Sequence, residues 1–173
     1  MTELTQRERM QIPRQEMPTQ DPIARRTNFD EVALGFTPEL AQREADRCLQ
    51  CAKPQCVEGC PVGVLIPQFI KALREGDIEG AIRAMKEKNN LPAICGRVCP
   101  QETQCEVKCV LAKKGEPVAI GRLERYIGDY ELQYRTCPLE RAPSTGKRVA
   151  IVGTGPAGLT CAVDLGRLGH TVV

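Results

Sequence analysis

Apolar side chains recur at helical spacing along the middle of the chain. Phe69, Ile70 and Leu73 fall on one side of a segment from about Pro67 to Arg74, and Ile78, Ile82 and Met85 stripe the next, from about Ile78 to Lys88. Gly76 separates the two, Asp77 is placed to cap the second, and Asn89, Asn90 and Pro92 stop it. Upstream, Thr37, Pro38 and Glu39 form a helix-start signature: a side-chain cap, a proline at the first helical position and an acid at the positive end of the dipole. That helix is predicted to run to about Arg47. Ile120, Leu123, Ile127 and Tyr130 predict a longer helix from about Ala119 to Tyr134. A short helix is expected to carry Cys105 and Cys109 one turn apart on the same face.

Both ends read differently. Residues 1–36 are polar, and Pro13, Pro18 and Pro22 interrupt helix formation, so an extended arm is expected there. From Cys137 to Gly146 a run of turn residues reads as a linker. Then Arg148 to Gly153, RVAIVG, reads as a buried strand, Pro156 to Leu168 as a helix and Thr171 to Val173 as a second strand. The predicted class is mainly α: an arm over 1–36, a helical domain over 37–140, and the strand–helix–strand start of a Rossmann-type unit over 147–173.

Composition narrows the chemistry. Hydrophobic residues make up 42% of the 173, aromatics 3%, and basic residues number 24 against 22 acidic. The balanced charge gives no footprint for nucleic acid or an anionic membrane. One histidine, His170, argues against histidine-based nucleophile activation and histidine-rich metal sites. No segment reaches the roughly 18 apolar residues of a membrane span, and the polar N-terminus lacks a signal-peptide core. A cytoplasmic location is expected, where dense cysteine favours metal over disulfide.

Eight of the ten cysteines lie between Cys48 and Cys109. The first group is C-x2-C-x4-C-x3-C-P (Cys48, Cys51, Cys56, Cys60), and the second is C-x3-C-P-x4-C-x3-C (Cys95, Cys99, Cys105, Cys109). Structural zinc usually takes two close pairs per ion. Four cysteines in a compact run, the last before proline, follow the logic of two-cluster ferredoxins. The x4 gap departs from the ferredoxin letter. Thiolates are the soft ligands that iron–sulfur clusters require, and Gly59, Gly63 and Gly96 are expected to let backbone N–H groups approach sulfide. Cys161 is expected to be buried in its helix, and Cys137 carries no assignment.

Gly153-Thr-Gly155-Pro156-Ala157-Gly158 is a G-x-G-x-x-G turn after a predicted strand and before a predicted helix, the context in which that motif reads as a dinucleotide site, an ordinary strand–helix turn with incidental glycines being the alternative. The helix N-terminus would supply N–H groups to a pyrophosphate. The acidic residue expected about 20 positions on would fall at or beyond Val173. A longer protein is therefore expected.

These residues together resemble one family. M-P-x-Q-D-P at Met17–Pro22, N-F-D-E-V at Asn28–Val32, both cysteine groups, I-G-R-L-E at Ile120–Glu124 and V-A-I-V-G-T-G-P-A-G at Val149–Gly158 match the N-terminal part of glutamate synthase small subunits. The same module occurs in transhydrogenase and sulfide dehydrogenase subunits and in dihydropyrimidine dehydrogenase. The resemblance implies a helical domain with two [4Fe–4S] clusters, FAD on the glycine turn at Gly153, Gly155, Pro156, Ala157 and Gly158, and an NAD(P)H domain beyond. It implies Cys48, Cys51, Cys56 and Cys109 on one cluster, and Cys60, Cys99 and Cys105 on the other. The fourth ligand of the second is then a non-cysteine side chain, Gln in dihydropyrimidine dehydrogenase, whose matching position is Glu124; Cys95 is the alternative. Arg14, Arg25 and Arg26 become candidates for contacts from a docking arm to a partner subunit.

The resulting expectation is an electron-transfer portion of an NAD(P)H-dependent iron–sulfur flavoprotein oxidoreductase, with a glutamate synthase large subunit or another redox subunit as partner. No residue carries acid–base catalysis, and these residues alone are expected to be inactive. Transhydrogenase and sulfide dehydrogenase subunits are alternatives within the family, and a zinc-stapled binding module is the alternative outside it.

Overall fold

The computed structural model describes residues 4–134 and 140–173; Cys137 and the opening of the predicted linker lie outside the described residues. The arm folds back on the domain, and it contains a helix that its prolines hid. α1 (Gln6–Gln11) forms because Thr5 and Glu8 cap it reciprocally: Glu8 N donates to Thr5 Oγ1 at 3.3 Å and Thr5 N donates to Glu8 Oε2 at 2.8 Å. The arm then turns back on itself through the isolated antiparallel bridge Thr19–Ala33, with a 3-10 turn at Ala24–Arg26 between.

The central helices follow the sequence pattern. α2 (Pro38–Asp46) is capped by Thr37, whose hydroxyl accepts from Leu40 N at 3.3 Å. α3 (Gln55–Glu58) is a single turn in the first cysteine group. α4 (Ile66–Arg74) and α5 (Ile78–Lys86) form a hairpin, turned at Gly76 with φ +80° and restarted by Asp77, which accepts from Gly80 N at 2.8 Å. Their stripes meet α2 and α7 (Ile120–Tyr134) in one core of Phe69, Ile70, Leu73, Ile82, Met85, Leu123 and Ile127. The cysteine segments border this core, and Cys48, Cys56, Cys60 and Cys109 pack against it.

α6 (Pro92–Val98) is a helix that the pattern does not predict, because Pro92 reads as a stop. Proline here begins a helix at its first position, where no N–H is needed. α6 lies close against α7 through reciprocal glycines. A Cβ on Gly96 would come within 2.5 Å of Arg125 N, and one on Gly128 within 2.5 Å of Ala93 N.

At the C-terminal end, β1 (Arg148–Val149) and β2 (Thr171–Val172) pair in parallel, joined by α8 (Pro156–Arg167). The strand is shorter and more exposed than RVAIVG suggests: it has one neighbour among the described residues, and past β2 the pairing continues through Val173, which donates to Val149 O at 2.9 Å and accepts from Ile151 N at 2.8 Å. Among the described residues no helix is long and apolar enough to cross a membrane.

Candidate metal centre

The eight clustered cysteines line two separate cavities. The first is bounded by Cys48, Cys51, Cys56 and Cys109, with apolar walls from Leu49, Ile66, Ile70, Leu111, Val118 and Ile120. The end of α2 delivers Cys48, whose N–H donates to Ala45 O at 3.1 Å. Gln50 follows in the left-handed region at φ +53°, a conformation a non-glycine residue adopts only when its surroundings hold it there. They do: Gln50 Nε2 donates to Pro67 O at 3.1 Å and to Cys48 Sγ at 3.3 Å. This turn sends Cys51 back toward the cavity, and α3 carries Cys56 to it.

The second cavity, about 670 Å³, is bounded by Cys60, Cys95, Cys99, Cys105 and Glu124, with Asn89 and Gln101 beside them. α6 holds Cys95 and ends at Cys99, whose N–H donates to Cys95 O at 3.0 Å. α7 supplies Glu124 from the facing side. Gln101 Nε2 donates to Cys95 O at 2.9 Å, which ties the chain after α6 back onto it. The opposite wall is α8, through Pro156, Ala157, Thr160, Cys161 and Asp164. Asn90 Nδ2 donates to Asp164 Oδ1 at 2.8 Å and Arg167 Nη1 to Lys86 O at 3.0 Å, so α8 is fastened beside this cavity.

The electrostatics suit a cationic occupant. Burial, then the neighbouring Cys48 and Cys109, pushes the Cys56 thiol up to about 12. Burial, then Cys95, does the same for Cys99, and burial, then Glu106 and Glu124, for Cys105. Cys48 and Cys51 are raised chiefly by burial, and Cys95 by burial and then by Glu124. Burial pushes Glu124 up to about 7, against a lowering contribution from Asn89. Acidic ligands crowded in an apolar wall resist ionisation until a positive group enters among them. Soft thiols gathered four to a cavity are the donor chemistry of iron–sulfur clusters. Among the described residues no three His, Cys, Asp or Glu side chains converge on a point where a single ion would sit. The nine described cysteines are all free thiols.

Two expectations about the cysteines are corrected. Cys105 and Cys109 share neither a helix nor a face: turns separate the 3-10 segments Gln101–Thr103 and Val110–Lys113, and the two thiols go to different cavities. Gly96 serves helix packing against Arg125, and Gly59 makes room for Gln104 O, which a Cβ would approach within 2.7 Å. Gly63 turns the chain at φ +69°. Cys161 is exposed rather than buried: α8 packs on a two-stranded sheet that covers little of it, and Cys161 lies at the wall of the second cavity. Arg14 pairs within the chain, donating from Nη2 to Glu106 Oε2 at 2.7 Å, while Arg25 and Arg26 stay exposed. Sequence reasoning missed the site roles of Gln50, whose sequence mark is its place between Cys48 and Cys51, and of Asn89, which reads only as part of a helix stop.

The three glycines of the turn have different surroundings. Gly153 is left-handed at φ +104°, Gly155 begins α8 with open space around its Cα, and a Cβ on Gly158 would collide with Gly153 O. A tight turn, an open approach and a close helix–strand contact are the three glycine roles at a pyrophosphate site. Pro156 occupies the first turn of α8 and Ala157 follows, both also facing the second cavity.

Comparison with known proteins agrees with this site. Residues 25–136 match the model of the family described as dihydropyrimidine dehydrogenase domain II, 4Fe-4S cluster. The chain is 45% identical over 148 residues to the putative oxidoreductase AegA of Escherichia coli (strain K12), covering 84% of this chain and 22% of that protein. It is 43% identical over 151 residues to the glutamate synthase [NADPH] small chain of the same organism, covering 86% and 32%. It is 40% identical over 144 residues to the NAD-dependent dihydropyrimidine dehydrogenase subunit PreT of Salmonella typhimurium, covering 83% and 35%. The chain thus spans about a fifth to a third of the length of these relatives. It belongs to the dihydropyrimidine dehydrogenase domain II family of 4Fe–4S cluster domains, within a group of iron–sulfur oxidoreductases.

Proposed function

We propose that this member of the family is the electron-transfer portion of an NAD(P)H-dependent flavoprotein oxidoreductase, of the glutamate synthase small-subunit type, holding two [4Fe–4S] clusters. The observation that carries the reading is the sorting of eight cysteines from two sequence groups into two cavities, four to each. Cys48, Cys51, Cys56 and Cys109 would hold one cluster; Cys60, Cys99, Cys105 and Glu124 would hold the other. Bound clusters supply one-electron transfer, and bound FAD converts two-electron to one-electron chemistry.

The residues of the chain do the positioning. The turn at Gly153, Gly155 and Gly158 and the first N–H groups of α8 would hold the pyrophosphate of FAD. The same α8 forms a wall of the second cavity, through Pro156, Ala157, Thr160 and Cys161. That adjacency supports a route from flavin to the Glu124 side first and the Cys48 side next. Apolar walls at the first cavity exclude water from the thiolates. A partner subunit, the large glutamate synthase subunit in this reading, would exchange electrons at the far end. Free thiols around iron fit a reducing, cytoplasmic compartment.

Iron and acid-labile sulfide in anaerobically purified chain test this directly. About eight of each per chain are expected for two four-iron clusters. Stoichiometric zinc without sulfide would overturn the reading in favour of a zinc-stapled module. The co-purifying subunit, in the native organism, identifies the reaction: a glutamate synthase large subunit is expected, and a different redox subunit would reassign it.

A further inference from the structure

Glu124 and Cys95 compete for one position in the second cavity, and a single side chain lies between them. Asn89, buried at the end of α5, donates from Nδ2 to Glu124 Oε1 at 2.6 Å. Its Oδ1 faces Cys95, whose Sγ donates to it at 3.5 Å. The same Oδ1 accepts the Leu91 backbone N–H at 2.9 Å. We propose that Asn89 is a positioning residue that presents Glu124, and withholds Cys95, as the fourth ligand at the second cavity. The inference rests on the reading above that this cavity holds a [4Fe–4S] cluster ligated by Glu124.

The amide cannot serve both residues alike. Turning it over would set its NH2 group against the Leu91 N–H, donor facing donor, and would leave that N–H without its acceptor. The nitrogen end therefore always meets the carboxylate. With Oε1 held by Asn89, the other oxygen of Glu124 is the one available to a metal. Ligands of metal sites are held in this way by hydrogen bonds from the next layer of residues, which fix their orientation. The oxygen end meets the sulfur, and that contact ties the Cys95 thiol to the amide at the cavity wall. Pro92 starts α6 two residues beyond Asn90, so Leu91, the N-cap of that helix, is itself fixed. The selector is thus anchored on backbone, and the two candidates are held at opposite ends of it.

The test uses the cluster-loaded chain and its reduced EPR spectrum and midpoint potentials. Asn89→Asp keeps an acceptor for Leu91 N–H but sets a carboxylate oxygen against Glu124. Its expected result is an altered spectrum and a shifted potential for the second cluster, with those of the first unchanged. Asn89→Ser, shorter and uncharged, is expected to produce the same change and serves if the aspartate variant does not fold. Combining either variant with Cys95→Ala is expected to remove about half the iron, one of two four-iron clusters, whereas Cys95→Ala alone keeps it. A folded Asn89 variant with the parent spectrum and potential for both clusters overturns the proposal. If Glu124→Ala leaves iron, sulfide and both spectra as in the parent, the ligand reading itself fails, a result that does not involve Asn89.

Discussion

Arg47 Nη1 donates to Glu44 Oε1 at 2.7 Å, and both side chains are buried against the core. The pair joins three parts of the chain. Glu44 accepts from Gln15 N and Ala119 N, each at 2.7 Å, while Arg47 donates to Ile12 O, Pro117 O and Glu116 O. Removing Glu44 leaves the guanidinium buried without its counter-charge. Glu44→Ala is expected to destabilise the chain by about 3–5 kcal/mol, read from denaturant unfolding of the cluster-loaded protein. The neutral Glu44→Gln should cost less, since it retains acceptor capacity. A midpoint for Glu44→Ala equal to that of the parent would refute this account of the pair.

Gly96→Ala tests the close crossing of α6 and α7. The new methyl would meet Arg125 backbone at 2.5–2.6 Å, and neither helix backbone can yield cheaply. A cost of roughly 1–3 kcal/mol is expected. The two helices carry Cys95 and Glu124 on facing walls, so separation should also lower iron retention at the second cavity. Iron per chain, measured beside thermal unfolding, checks both effects together.

Glu31 carries the pH dependence of the arm. The hydrogen bond from Arg97 holds its carboxyl below the ordinary value of 4.5, with further attraction from Arg125. A depressed folded pKa contributes stability that is present above the ordinary value and lost as pH falls through the folded one. The Glu31 side chain is 48% exposed, so the contribution is screened; roughly 0.5–1 kcal/mol is expected. Pulse hydrogen exchange at the Gln20 and Leu34 amides, which donate to Val32 O and Pro18 O, reads it. Glu31→Gln should exchange faster than the parent at pH 7 and at pH 5. The difference should shrink only below the ordinary carboxylate range, and a difference that vanishes between pH 7 and pH 5 would count against this origin.

Much of the fold was legible because helix starts are local chemistry. Thr37-Pro38 and Asp77 cap where their side chains can reach, and the stripe of Ile78, Ile82 and Met85 lands in the core. The arm helix and α6 are hidden in the pattern because proline reads as a breaker, whereas Pro92 starts a helix and Pro13 follows the end of one. A signal did exist for Glu44: it sits on the buried stripe with Ala41 and Ala45, a place where a carboxylate requires partners. Those partners, Gln15 N and Ala119 N, are remote in sequence and could not be named in advance. Spacing found the cysteine groups but misjudged Cys105 and Cys109, because i, i+4 implies one face only if a helix connects them.

Cys161 should be the thiol of the eight-plus-one described set that reacts first. It is exposed on α8, at the wall of the second cavity but outside the proposed ligand set, whereas the others are at least half-buried and seven of them would be masked as ligands. Brief alkylation of cluster-loaded chain, followed by peptide mass spectrometry, is expected to label Cys161 ahead of Cys48, Cys56 and Cys105. Chelation of iron should then open the remaining sites. Equal labelling of Cys161 and Cys56 in loaded protein would contradict the exposure seen here.

The two cavities draw on both sequence groups, and this interleaving sets a last expectation. Cys60 ends the first group yet faces the second cavity, and Cys109 ends the second group yet faces the first. Neighbouring cysteines should therefore act on different clusters. Cys105→Ala is expected to remove the signature of the second cluster and leave the first, while Cys109→Ala, four residues on, should do the reverse. Cys56→Ala and Cys60→Ala should split the same way. Each single loss should take about half of roughly eight iron per chain. Exchanging the two groups intact, so that Cys105 and Cys109 affect the same EPR signal, would mean that each sequence group binds its own cluster. The crossed arrangement predicts a further coupling. Each cavity is closed by both segments, so loss of either cluster should loosen both groups and lower the unfolding midpoint by more than a surface substitution does.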